Sequence, residues 1–143
     1  MSEDSSDHSN LVKTTASLAP VLQPGTFVFC SVFHNADAGE AMSVAVGSFV
    51  EDEGLSLIMP RTEAVRLGLI FDLTMRQITL MVYSQLDGIG LSATVAGALA
   101  EKGIPANIVA ATQHDHIFVP SRQADAAMEV LKGLQQAAQD QIS

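Results

Sequence analysis

The densest chemistry in the chain lies in Ser84-Gln85-Leu86-Asp87-Gly88-Ile89-Gly90-Leu91-Ser92. These residues join an alternating, β-branched run to an apolar run of helical period, so they read as a strand-to-helix connection. Gly88 and Gly90 permit a tight turn and let a ligand approach the backbone closely. N–H groups in a helix's first turn have no intrahelical acceptor and lie at the positive end of the dipole, which favours a carboxylate. Asp87 and nearby carbonyls offer acceptors for an ammonium group, so together these polarities suit a zwitterion such as a free amino acid. From spacing alone the same residues better suit a plain strand-to-helix turn in which Ser92 or Asp87 caps the helix.

A second candidate is Gln113-His114-Asp115-His116. Two histidines around an aspartate are of metal-ligand type. They stand two apart in an extended turn, however, and no third ligand of matching spacing follows. The structural reading is a β-turn in which Asp115 bonds nearby backbone groups, leaving His114 or His116 to cap a ligand or partner surface. The acidic run Glu51-Asp52-Glu53-Gly54 reads as a solvated turn; clustered carboxylates can also bind cations or amines. Cys30, the single cysteine, falls in a β-rich run and reads as a small core residue with no disulfide partner. No nucleophile elbow, phosphate-binding glycine loop or paired zinc motif is present, which lowers the case for an enzyme.

The elements that must position these groups follow from the apolar pattern. Asn10 to Leu22 predicts a short helix capped by Asn10 and ended by Pro20. Thr26 to Phe33 predicts a strand, Met42 to Val50 a second and Leu55 to Met59 a third, with His34 to Glu40 a loop. Arg61 to Leu67 predicts a helix closed by Gly68, and 69–75 a connection. In the second half, Gln77 to Ser84 predicts a strand with Ile78, Leu80 and Val82 on one face. Leu91 to Lys102 predicts a helix ended by Gly103, with Leu91, Val95 and Leu99 on one side. Asn107 to Ala111 and His116 to Val119 predict strands. Ser121 is expected to cap a last helix whose inner stripe is Ala124, Ala127, Met128, Leu131 and Leu134.

The second half thus reads strand–helix–strand–strand–helix, a split βαβ unit lacking its last strand, which the first half can supply. The fold class expected is α+β: a ferredoxin-like βαββα unit plus a second similar half, with antiparallel sheets and helices on one face. The divisions expected are a frayed tail at 1–9, an N-terminal half at 10–70 and a C-terminal half at 71–143.

Bulk properties narrow the partners. Sixteen acids against seven bases give a net charge of −9. Such a surface repels phosphate backbones and anionic membranes, so neither nucleic acid nor membrane is expected as a partner. No apolar run of about 18 residues exists. Met1 to Ser9 is polar and acidic, without the basic start and apolar core of a secretion signal, so the chain reads as cytoplasmic.

Several segments resemble the ACT domain, a small regulatory module attached to many amino-acid enzymes, and more narrowly a group of short free-standing bacterial ACT proteins. They are Leu18 to Val32, Glu51 to Leu57, Ile78 to Ser84, Gly90 to Ala93, Leu99 to Ile104, Asn107 to Ala110 and His114 to Val119. The resemblance covers roughly Leu11 to Leu134. It implies two ACT-like halves similar to the paired regulatory domains of aspartate kinases, where effector amino acids bind at the start of the first helix and against the following strand. Carried over by position, that pocket uses Leu86, Asp87, Gly90, Leu91 and Ser92, with Asn107, Ile108 and Val109; His114, from the turn reading above, is added as a residue that caps the ligand. Gln85, Asp87 and Thr112-Gln113 depart from the family pattern, so ligand preference does not transfer.

The resemblance implies a regulatory sensor of a small molecule, an amino acid, with no catalytic residues, no cofactor and no metal. Two other readings stand beside it. One is a ligand-free interaction module that forms homodimers through sheet edges. The other is a metal-dependent enzyme using His114, Asp115 and His116 with Glu51 or Glu53.

Overall fold

The computed structural model describes residues 2–33 and 38–143. In chain order the elements are α1 (Ser2–Ala16), β1 (Pro20–Leu22), β2 (Phe27–Val32), α2 (Ala38–Val44), β3 (Gly47–Val50), β4 (Leu55–Pro60) and α3 (Arg61–Arg66). They continue with β5 (Met75–Leu80), α4 (Leu91–Glu101), β6 (Asn107–Ala110), β7 (Asp115–Pro120), a 3-10 turn (Ser121–Gln123) and α5 (Ala124–Ile142). The fold is α+β, with ferredoxin-like order in each of two units.

The first unit is Pro24–Arg76. Its strands run in the order β3-β4-β2, antiparallel, and Met75 at the head of β5 stands opposite Phe27. Alternation places Val28 opposite Met59 and Cys30 opposite Leu57 on the inner face. There they pack with Ala41 of α2 and Ala64 of α3. Burial pushes the Cys30 thiol up from its ordinary value, as befits a core residue and not a nucleophile. Two expectations change in this unit. The strand drawn over Met42 to Val50 is α2 followed by the shorter β3. Small residues such as Ala41 satisfy either period, and burial of Ala41 settles the segment as helix. The part of the expected loop at 34–37 lies outside the described residues. Glu51 to Gly54 forms the turn of the β3–β4 hairpin, with all three acids exposed and Ser56 Oγ donating to Glu51.

The second unit joins residues 2–23 to Gln77–Ser143. Its sheet runs β1-β5-β7-β6. β1 is antiparallel to β5, with Pro20 opposite Leu80 and Leu22 opposite Ile78. The missing fourth strand is therefore supplied from the N-terminal part of the chain. Ile78 and Leu80 share their face with Ile117 and Val119 of β7, and all four are buried with Leu91, Val95 and Leu99 of α4 and Leu131 of α5. Burying each such side chain stabilises the unit by about 1.5–3 kcal/mol.

The N-terminal segment departs from expectation. α1 begins at Ser2, so residues 2–9, expected as a frayed tail, are helical. Pro20 opens a strand and does not lie in the helix. The chain leaves α1 through Ala19, whose φ of 50° is rare for a residue with a side chain. Two α5 side chains secure this corner. Gln135 accepts from Ala19 N–H at 3.1 Å and donates to the Ala16 carbonyl at 3.1 Å, and Gln139 donates to the same carbonyl at 3.0 Å. Leu18, fully buried, places the corner in the same core as α4 and α5. The packing units therefore differ from the halves at 10–70 and 71–143 in two segments: residues 10–23 pack with the C-terminal part, and residues 71–76 belong to the unit Pro24–Arg76.

At the other end of the unit, Ser121 does not cap the last helix. Its hydroxyl is buried without a partner, the 3-10 turn intervenes, and α5 starts without a side-chain cap. The inner stripe of α5 lies as expected, with Ala124, Ala127 and Leu131 buried.

Candidate functional site

The connection from β5 to α4 builds the site. β5 ends at Leu80, although Met81 and Val82 still donate to the carbonyls of Ala19 and Leu18 at 3.1 and 3.3 Å. A turn follows, closed by Gly88 N–H to the Gln85 carbonyl at 2.9 Å, with Leu86 and Asp87 at its exposed tip. Gly90 is the residue before the first helical turn, with φ of 100°, a conformation that favours glycine. Thr94 N–H makes the first intrahelical bond, to the Gly90 carbonyl at 2.9 Å. The amides of Leu91, Ser92 and Ala93 precede it, and no side chain caps them. Neither Ser92 nor Asp87 is a cap.

These amides open into a small pocket of about 110 Å³. Leu86, Gly90, Leu91 and Ser92 line it, with Ala110 and Asp115 opposite the loop. Four of the residues expected at the site therefore meet here. Asp87 lines a different cavity of about 470 Å³, walled by Asp7, Asn10 and Thr14 of α1 and by Tyr83. On β6, Ile108 stands opposite Ile117 and packs against the core, on the same side as Ala110. Asn107 and Val109 stand opposite Phe118 and His116, on the other face. His114 lies in the turn before β7, its Nδ1 buried without a partner.

The His–Asp–His segment separates in the structure. Asp115 is the first residue of β7 and not part of a turn, so it shares a face with Ile117 and Val119 and ends that inner row beside the start of α4. The residue is 8% exposed, and its carboxylate oxygens, which have no hydrogen-bond or ion-pair partner among the described residues, are not themselves shut off from the pocket. Burial pushes the carboxyl up from its ordinary value, and neighbouring His116 pulls the other way.

His116 points to the opposite face. Gln77 Nε2 lies 3.1 Å and Thr79 Oγ1 3.0 Å from its Nδ1. With the amide nitrogen turned toward the ring it donates, which corresponds to the neutral ring with its proton on Nε2. Burial first, then His114, lower the His116 value, against an upward pull from Asp115. The two histidine rings are 6.5 Å apart, edge to face.

Sequence reasoning assigned Asp115 to backbone bonding in a turn. The signal that places it was present in the alternation of Asp115, Ile117 and Val119, a strand period that carries the carboxylate inward. Among the described residues no three His, Cys, Asp or Glu side chains converge to hold a metal ion. Among them no helix is long and apolar enough to cross a membrane.

Comparison with known proteins bears on this architecture. Two models, each described as ACT domain, match residues 8–76 and 73–133. A Vibrio cholerae structure described as a protein of unknown function and possible transport protein is 35% identical. The match covers 90% of this chain and 98% of that one, with a TM-score of 0.79. An Agobacterium tumefaciens protein is 16% identical over 82% of this chain and 88% of its own, with a TM-score of 0.69. The regulatory subunit of aspartate kinase from Thermus flavus is 12% identical over 81% of this chain and 96% of its own, with a TM-score of 0.57. No curated protein matches the sequence.

Proposed function

The chain belongs to the ACT-domain family, and from that premise we propose that it is a regulatory protein, without catalytic activity, that binds a free amino acid at the start of α4. The observation that carries this reading is the uncapped first turn of α4 opening into a pocket, with Gly90 giving the backbone close access. A ligand carboxylate satisfies amides that no side chain serves. The likeness in fold to a regulatory subunit of aspartate kinase supports the regulatory part. The acidic chain, with a net charge of −9, favours solubility and disfavours nucleic acid.

A thermal-shift screen of the common amino acids tests the proposal. A ligand at about 100 times its Kd adds roughly 2.7 kcal/mol, or on the order of 5–10 °C for a chain of this size. One or a few amino acids are expected to raise Tm by that amount. A flat response to all of them, with a dimeric mass in solution, would favour the second reading, an interaction module. The edge position of β6, with Asn107 and Val109 exposed, supports that alternative.

A further inference from the structure

We propose that Asp115 is the residue that receives the ligand's ammonium group, and that the pocket therefore selects a small, uncharged α-amino acid. This rests on the reading of the α4 pocket as the ligand site and goes further by naming what the site takes.

A carboxylate removed from water is costly unless it is paired. Asp115 is 8% exposed, and its carboxylate, with no pairing group among the described residues, has its remaining access through the pocket it lines. No lysine, arginine or histidine lines the pocket to balance it. Leu91, Ser92 and Ala93, whose first-turn amides no side chain caps, line the same small space. The pocket thus presents donors and an acceptor carboxylate, the complement of a zwitterion. A ligand with a carboxylate and no amine leaves Asp115 unpaired and brings a second negative charge beside it. A ligand with an amine and no carboxylate leaves the amides unserved.

Size gives the second constraint. The pocket is small, about 110 Å³. Gly88, Gly90, Ala93 and Ala110 provide no deep apolar slot for a long side chain. An acidic side chain would meet Asp115, and no cation in the lining offsets the repulsion.

The experiment is calorimetric titration of the full chain with glycine, L-alanine and L-serine, beside L-lactate, pyruvate, L-glutamate and L-phenylalanine. Glycine, alanine or serine is expected to bind, and lactate and pyruvate at least tenfold more weakly. Asp115→Asn, near-isosteric, is expected to weaken alanine at least tenfold while the circular dichroism spectrum is unchanged. Equal binding of lactate and alanine, tightest binding of phenylalanine or glutamate, or a variant within twofold of the parent would each overturn the inference. The lactate comparison uses the unaltered chain, so it decides the matter even if the variant does not fold. Amino-acid binding that is indifferent to Asp115 would end this inference and leave the proposed function standing. Absence of binding by every amino acid would end both.

Discussion

Leu11 of α1 closes the space over Gly90: a β-carbon placed on Gly90 would lie 3.0 Å from Leu11 Cδ2. The helix N-terminus that faces the pocket is thus backed by an apolar residue of the N-terminal helix. Gly90→Ala meets both this contact and a φ of 100°, so it is expected to cost about 1–3 kcal/mol. Gly97, inside α4 with nothing within 4 Å of an added carbon, is the control. Gly97→Ala is expected to stabilise by roughly 0.4–1 kcal/mol. Urea midpoints at equal slope measure both. Adding Leu11→Ala relieves only the contact, so it should not restore Gly90→Ala to parental stability.

The corner between α1 and β1 makes a separate prediction. Gln135 serves one donor and one acceptor there, at Ala19 and Ala16, and both lie where the chain leaves helical geometry. A hydrogen bond contributes about 0.5–1.5 kcal/mol net, so Gln135→Ala is expected to cost on the order of 1–3 kcal/mol. Leu18→Ala, at a fully buried position of the same corner, is expected to cost about 2–5 kcal/mol. Hydrogen exchange should show lost protection in β5 in the Leu18 variant, because β1 pairs with it. Protection unchanged in β5 would mean that the N-terminal segment is not integral to this unit.

Asp115 sets a pH dependence whose sign follows from its environment. Its folded value is raised by burial, so the folded chain holds the proton more tightly than the unfolded chain. That contribution is complete below the unfolded value of about 3.9 and is lost as pH rises through the folded value. Asp115→Asn is therefore expected to raise the Tm of the ligand-free protein at pH 7, with the gain shrinking as pH falls toward about 4. No gain at pH 7 would show that the carboxylate is well solvated.

These particulars show where the sequence was legible. Gly90, Leu91 and Ser92 were readable because a glycine before an apolar helical period marks a helix start, and β5, α4 and the stripe of α5 followed from apolar spacing. α2 was not readable, because Ala38 to Val44 offers small side chains that fit either a strand or a helix until something packs on Ala41. The α1–β1 corner was hidden because its determinants, Gln135 and Gln139, lie more than a hundred residues away in sequence. Asp115 was misplaced because Asp beside His carries a strong turn signal. The strand period through Ile117 and Val119 overrides that signal once the sheet forms.

His116 gives the last prediction. Its Nδ1 faces the Gln77 amide nitrogen and the Thr79 hydroxyl, and Thr79 is only 3% exposed, so a positive ring would lose the bond from the amide and sit poorly solvated. The folded value is accordingly lowered, which means the unfolded chain takes up the proton first as pH falls. Stability from this group is complete above about 6.5 and is lost as pH drops through the folded value. Tm is expected to decline on that acid limb, and His116 carbon shifts followed by NMR should titrate with a midpoint below about 6.5. His116→Leu leaves the Thr79 hydroxyl without its ring acceptor, so it should cost about 1–3 kcal/mol at pH 7 and flatten the acid limb. A midpoint at or above the ordinary histidine value, with an unchanged acid limb in the variant, would show that the Gln77–Thr79–His116 cluster does not hold the ring neutral.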